Sequence, residues 1–302
     1  MRAEKELFDP TFFYYKNRKI NGFYGIEIFP ARNIIENLGF LRGDGVVEVI
    51  ESRGGVIFHK EDHFRRLFAG VEELGYFLPG ITVNFDAFKV FLKEKIDRLL
   101  RIYKARSRSI IHIMVVGGSA LDTFTPLSSS LFIFTYLFKI LRFNEKGISI
   151  LPLEHQREWP EIKTINYQAA ITALRKNPDI DLDMKYDEVL YGTHKILEAS
   201  KANISIVTKD GRILTPATGI LKGVTREIVL QLAKEIGCEA QEKELYWRDV
   251  FNASEVFLTS TTKFIRPVRR VGPRTYQIGP VSKRLWYAFM KYREQYYKNK
   301  KT

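Results

Sequence analysis

Four groupings in this sequence are of residue types that do chemistry. Leu221-Lys222-Gly223-Val224-Thr225-Arg226 is a glycine turn running into a helix. The first N–H groups of such a helix have no intrahelical partner, so this end can hold a phosphate or a carboxylate. Thr225 can equally cap the helix with its own hydroxyl. Ser260-Thr261-Thr262 gathers hydroxyls at the end of an apolar run, a set of donors for an anion or simply a polar loop. Lys163 stands four residues before Tyr167. On a helix that spacing sets a phenol one turn from whatever the lysine holds, although a surface lysine with a core tyrosine also fits it. Glu198 is flanked by Ala199, Ser200, Lys201 and Ala202 and, taken alone, reads as a solvated turn acid.

Hydrophobic periodicity supplies the elements that must position these groups. Val46 to Glu51 and Val56 to His59 read as a hairpin across Arg53-Gly54-Gly55. Phe64, Leu67, Phe68, Val71 and Leu74 give a helix over Glu61 to Gly75, and a second helix follows over Asp86 to Lys104. Ile110 to Val116, Ser130 to Phe138 and Gly147 to Leu151 read as strands, and Thr164 to Lys176 as a helix that ends before Pro178. Val189 to Leu197 reads as one strand, Ile204 to Thr208 and Arg212 to Leu214 as a pair turning at Lys209-Asp210-Gly211, and Glu255 to Leu258 as a further strand. The helix Thr225 to Ile236 stops at Gly237. Gly117 to Pro126, rich in Gly, Thr, Ser and Pro between apolar runs, is the expected inter-domain linker.

With 302 residues, 45 % hydrophobic and 27 % charged, the chain belongs with folded proteins of about two domains. The single cysteine, Cys238, excludes an intramolecular disulfide and a cysteine-cluster metal site and fits a reducing compartment. Met1 to Pro10 lacks the apolar run of an export signal, and Leu127 to Phe143, with three serines and Lys139, is shorter than the roughly 20 residues a bilayer needs. A buried strand is expected there. Of the net charge of +13, the segment from Lys263 to Thr302 supplies +11, from twelve basic residues and Glu294. That admits a basic nucleic-acid-binding protein as a rival reading; an amphipathic helix with its bases in solvent is the simpler account.

Read in order, the groupings form a longer pattern. It runs through Gly43-Asp44-Gly45-Val46 with Glu48, His63-Phe64-Arg65-Arg66-Leu67, Lys163-Thr164-Ile165-Asn166, Leu197-Glu198 to Asn203, and Thr215-Pro216. It continues through Leu221 to Arg226, Glu255 to Thr262, and Gly279-Pro280-Val281-Ser282-Lys283-Arg284. This pattern resembles the fold-type-IV pyridoxal-phosphate enzymes, the class IV aminotransferase family of branched-chain aminotransferases, D-amino-acid aminotransferases and aminodeoxychorismate lyases.

The resemblance implies an α+β fold with a small N-terminal domain over 1–123 and a larger, β-rich cofactor-binding domain over 124–302, with the cofactor between them. It implies pyridoxal 5'-phosphate held as an internal aldimine on Lys163, the catalytic residue, which then shuttles the proton between the substrate Cα and the cofactor. Glu198 would keep the pyridine nitrogen protonated, and Arg66, Val224, Thr225, Ser260 and Thr261 would surround the phosphate. Leu221 would pack on the ring and Tyr167 would reach the ring oxygen. Amino-acid and 2-oxo-acid substrates, a cytoplasmic homodimer and no membrane partner are further implications.

Within the family, the D-amino-acid branch carries a tyrosine where this chain has Val47, and an arginine near the end of the strand that here finishes at Gly117. No arginine lies between Arg108 and Arg142. Val49 and Ile50 stand where the lyases place a threonine, and Ser260-Thr261-Thr262 resembles the transaminases more than the lyases. The expectation is therefore an aminotransferase acting on a branched-chain or other L-amino acid, with the lyase as the alternative.

Overall fold

A computed structural model describes residues 13–14, 23–28, 37–102, 108–120, 122, 124–139, 142–177 and 185–300. The chain divides into two units, Met1–Lys139 with Ile162–Asn166, and Ile140–Glu161 with Tyr167–Lys300.

In the first unit β1 (Phe13–Tyr14) and β2 (Phe23–Ile28) precede the short helix α1 (Leu38–Arg42). The hairpin β3 (Gly45–Arg53) and β4 (Val56–Ile57) turns at Gly54-Gly55 as expected, then come α2 (Lys60–Glu73) and α3 (Phe85–Ile102), and finally β5 (Arg108–Val116) and β6 (Ser130–Leu137). The strands form one antiparallel sheet in the order β1-β2-β6-β5-β3-β4. Its period-2 alternation sorts β3, β5 and β6 into two faces. Val46, Ile50, Ile111, Ile113, Val115, Leu131 and Ile133 form the core with Phe64, Leu67 and Phe68 of α2 and Phe88, Leu92 and Ile96 of α3.

The stretch Gly117 to Pro126, expected to be the inter-domain linker, falls within the connection between β5 and β6, which pair from Ser109↔Leu137 to Val116↔Ser130. Its Gly, Ser and Pro content reports a long turn between neighbouring strands. The strand read at Ser130 to Phe138 accordingly belongs to the first sheet.

The second unit begins with β7 (Ile148–Glu154) and α4 (Gln168–Lys176) and continues through β8 (Glu188–Gly192), β9 (Lys195–Ala199), β10 (Asn203–Val207), β11 (Ile213–Thr215) and α5 (Val224–Glu235). It ends with β12 (Ala240–Glu242), β13 (Leu245–Tyr246), α6 (Trp247–Asn252), β14 (Glu255–Ser260), β15 (Phe264–Val271), β16 (Arg274–Thr275) and α7 (Pro280–Asn299). Its sheet has the order β12-β11-β10-β14-β15-β7-β8-β9-β13, with β16 beside β15. The run Val189 to Leu197 is two strands rather than one, because the chain turns back at Thr193-His194 and β8 pairs antiparallel with β9.

The C-terminal part of the basic segment, with five of its twelve bases, is the helix α7, which buries Leu285, Phe289 and Tyr297. One base departs from the expected outward pattern: Arg293 is fully buried, with its guanidinium over the rings of Phe264 and Tyr297. Phe289 and Tyr297 are inside, while Tyr287 is exposed and Trp286, Tyr292 and Tyr296 are half-buried, so only part of the helix's aromatic run faces solvent. No helix among the described residues is long and apolar enough to cross a membrane.

Candidate active site

Lys163 is positioned by strand pairing. Thr164 makes an antiparallel bridge to Val46, the Val47 N–H donates to the Lys163 carbonyl at 2.8 Å, and the Ile165 N–H donates to the Gly45 carbonyl at 3.0 Å. Residues 163–165 thus extend the first sheet along the start of β3. This corrects the expected helix from Thr164. Backbone groups bonded to β3 cannot also form helical turns, α4 begins only at Gln168, and Tyr167 is its N-terminal flanking residue. The helical-turn relation between Lys163 and Tyr167 therefore does not exist, and the two belong to different units.

The register fixes the face on which Lys163 lies. Thr164 shares the α2 side with Val46, so Lys163 alternates to the opposite side, with Val47 and, across β5, Met114. Glu48 belongs to the α2 side, where Arg66 meets it with two parallel bonds, Nε to Oε2 at 2.9 Å and Nη2 to Oε1 at 2.7 Å. The Val49 N–H donates to Oε1 at 2.9 Å, and His63 Nδ1 stands 3.1 Å from the same oxygen, off the line of a hydrogen bond. Burial alone would raise the Glu48 carboxyl, but the Arg66 charge and His63 outweigh it and hold it well below the usual carboxylate range.

In the second unit the Glu198 carboxylate is held by Arg157, Asn203 and Leu221. Its Oε1 accepts from Arg157, Nε at 3.0 Å and Nη2 at 2.5 Å. Its Oε2 accepts from the Leu221 N–H at 3.2 Å and the Asn203 amide at 3.3 Å. The same Asn203 amide donates to the Leu221 carbonyl at 2.7 Å, which locks the turn that leads into α5. Gly223 precedes that helix and gives no side-chain cap, and a Cβ placed there would stand 2.1 Å from Asn203 Oδ1. Only glycine lets the turn approach Asn203 this closely.

Val224 and Thr225 open α5, both buried. Arg226 anchors the helix start, reaching the Pro216 carbonyl at 2.9 Å and Glu242 at 2.5 Å. Asn203 pairs across strands with Thr259, so Ser260 and Thr261 follow directly at that end of β14. One contributor, Arg157, had no signal of its own in the sequence, and His63 appeared only as the first residue of the His63-Phe64-Arg65-Arg66-Leu67 pattern. Arg157 also donates to the carbonyl of Pro160. No group of three or more His, Cys, Asp or Glu among the described residues could hold a metal ion.

The model of the amino-transferase class IV family matches residues 45–271, which contain Arg66, Lys163 and Glu198. The chain belongs to this family. A candidate branched-chain-amino-acid aminotransferase of Methanocaldococcus jannaschii is 29% identical over 259 residues, 82% of this chain and 86% of that protein. The D-alanine aminotransferase of Bacillus licheniformis is 27% identical over 252 residues, 81% of this chain and 85% of its own length. Among solved structures, a candidate 4-amino-4-deoxychorismate lyase of Legionella pneumophila superposes with a TM-score of 0.70 at 22% identity, over 85% of this chain and 94% of that one. The class IV aminotransferase has the α+β, fold-type-IV architecture that its motifs implied.

Proposed function

We propose that this class IV aminotransferase is a pyridoxal-phosphate enzyme that moves an amino group between an L-amino acid and a 2-oxo acid. The observation that carries the reading is the Glu198 carboxylate. Arg157 donates to Oε1 from Nε and Nη2, while Oε2 accepts from the Leu221 N–H and the Asn203 amide. A carboxylate held in this way suits a protonated pyridine nitrogen, and the N–H groups and hydroxyls of Val224, Thr225, Ser260 and Thr261 suit a phosphate. The cofactor, when bound, supplies an electron sink for the carbanion left by deprotonation at the substrate Cα.

In this reading Lys163 holds the cofactor aldehyde covalently and, once the substrate displaces it, carries the Cα proton. Glu198 keeps the ring nitrogen protonated, Leu221 packs on the ring, Tyr167 reaches the ring oxygen, and Arg66 adds positive charge for the phosphate. L-specificity is supported by the absence of the D-amino-acid branch's arginine near Gly117, where a Cβ would stand 2.0 Å from Asp44 Oδ2 and a side chain would need Asp44 to move. A cytoplasmic homodimer is part of the same proposal.

The test is borohydride reduction of the cofactor-loaded protein followed by peptide mapping. Label on Lys163 is expected, and Lys163→Ala should lose both the label and turnover by at least about 10³-fold. Label retained in that variant would overturn the assignment. Bleaching of the visible band by L- but not D-amino acids is the expected handedness. A band unmoved by either, with pyruvate released from aminodeoxychorismate, would make the protein a lyase.

A further inference from the structure

Tight connections between neighbouring strands usually give their left-handed position to glycine, asparagine or aspartate, because a bulky side chain there crowds the backbone. The connection from β14 to β15 breaks that habit. Ser260 and Phe264 pair across it, so Thr261, Thr262 and Lys263 form the turn, and the residue at φ 56° is Phe264. Among the described residues only one other non-glycine, His59, has a positive φ. A phenylalanine in that region costs free energy and persists only where its surroundings hold it.

The holder is α7. Phe264 is buried, its ring centroid lies 5.5 Å from that of Phe289, and the Arg293 guanidinium stands 5.4 Å from the centre of the same ring. Phe289, Arg293 and Tyr297 recur at four-residue spacing and so form one stripe along the helix, and Arg293 also lies 5.2 Å from the Tyr297 ring. The same hairpin fixes the start of α7. Pro280 has no N–H, and Glu255, the first residue of β14, accepts from the next two donors, Val281 and Ser282, each at 2.9 Å. The grouping Gly279 to Arg284, which has no place in the chemistry, thus sets where α7 begins. The helix grips the hairpin at both ends, by Glu255 at the start of β14 and by Phe264 beyond the turn.

We propose that Phe264 is a positioning residue for the cofactor phosphate: α7, through Phe289 and Arg293, holds it left-handed, and this sets the Thr261-Thr262-Lys263 turn so that the donors of Ser260 and Thr261 converge on the anion. The proposal rests on the reading of Ser260 and Thr261 as phosphate donors. The backbone at Phe264 closes the turn, so a change in its φ swings the peptide planes between it and Ser260. Hydrogen bonds to an anion are directional, and a phosphate oxygen that misses its donor loses a charge-assisted bond. A glycine at this position would form the turn at less cost but would give α7 nothing to hold; a phenylalanine couples the shape of the turn to the packing of the helix.

The test is the relative affinity for pyridoxal 5'-phosphate and for pyridoxal, which lacks the phosphate, titrated by visible absorbance on the full-length protein, with denaturant unfolding measured on the same samples. Wild type should prefer the phosphorylated form. Phe264→Gly, which removes the ring together with the backbone cost, should lower that preference about tenfold or more, the factor that one misplaced charge-assisted bond represents, while affinity for pyridoxal stays within about twofold. Phe289→Leu leaves residue 264 untouched and loosens only the α7 side; a fall of about threefold is expected, and this variant carries the test where Phe264→Gly does not fold. A ring that only fills space would change unfolding and leave the ratio alone, so an unchanged ratio in a folded variant overturns the proposal. A wild type without preference for the phosphorylated form would instead overturn the reading of Ser260 and Thr261, and the proposal with it.

Discussion

Glu48 and Glu198 each face a guanidinium, one in each unit, but their oxygens are committed differently. Arg66 divides its two bonds between the two oxygens of Glu48, and the carboxylate is fully buried within the sheet core. Arg157 donates to Oε1 of Glu198 from Nε and Nη2, and Oε2 is held at 3.2 and 3.3 Å by Leu221 and Asn203. A two-oxygen fork saturates the anion and joins α2 to β3, which is a structural use of charge. At Glu198 the guanidinium meets one oxygen, and a backbone N–H and an amide meet the other. Under the proposed reading the Glu198 pair serves chemistry, while the Glu48 fork ties α2 to β3 and fixes Arg66 for its proposed place beside the phosphate.

Breaking the first pair should have the larger effect. Glu48→Gln leaves Arg66 and His63 facing a neutral amide inside the core, and removal of one partner of a buried ion pair costs about 3–5 kcal/mol. Denaturant unfolding should show that loss. A change under about 1 kcal/mol would mean that the fork contributes little and that the comparison fails on its structural side.

Glu198→Gln should divide the effects the other way. The amide keeps an acceptor for Arg157 and Leu221, so stability should fall by no more than about 2 kcal/mol, while turnover falls roughly a hundredfold because the charge beside the ring nitrogen is gone. Rapid-mixing kinetics of the first half-reaction, with unfolding measured on the same sample, checks both halves. Unchanged turnover would remove Glu198 from the chemistry.

The difference between the pairs also explains what could be read from the sequence. Elements set by local pattern were legible: the Gly54-Gly55 hairpin, α2 and α3, and the stop of α5 at Gly237. The Glu198 to Asn203 and Leu221 to Thr225 groupings stood out only through the family pattern they belong to, since Glu198 taken alone reads as a solvated turn acid and meets Leu221 and Arg157 from distant parts of the chain. Positions set by non-local pairing were not. Residues 163–165 lie along β3, more than a hundred residues away in sequence, so local periodicity extended α4 too far toward its N-terminus. Arg157 meets Glu198 only through the path of its loop, and Arg293 is buried because Phe264 and Tyr297 close around it. The turn between β5 and β6 passed for a linker because composition cannot distinguish a long connection within a sheet from one between domains.

The smallest expected effect is the acid limb of stability, and it sharpens the comparison on the Glu48 side alone. Arg66 and His63 hold the folded Glu48 carboxyl below its unfolded value near 4.5, so the folded state releases a proton that the unfolded state still binds at moderately acid pH. Its contribution is complete above that value and drains away as the pH falls toward the lower folded value, at about 1.4 kcal/mol per pH unit. Above pH 5 the stability curves of wild type and Glu48→Gln should therefore run parallel and well apart, and below about pH 4.5 they should converge. His63, which burial holds below the usual histidine value, acts between neutral pH and the carboxylate range in both proteins, though without Glu48 its own titration moves lower still. Curves that stay parallel down to pH 3 would show that Glu48 gives up no stabilisation on protonation, and the fork would then be a matter of packing rather than charge.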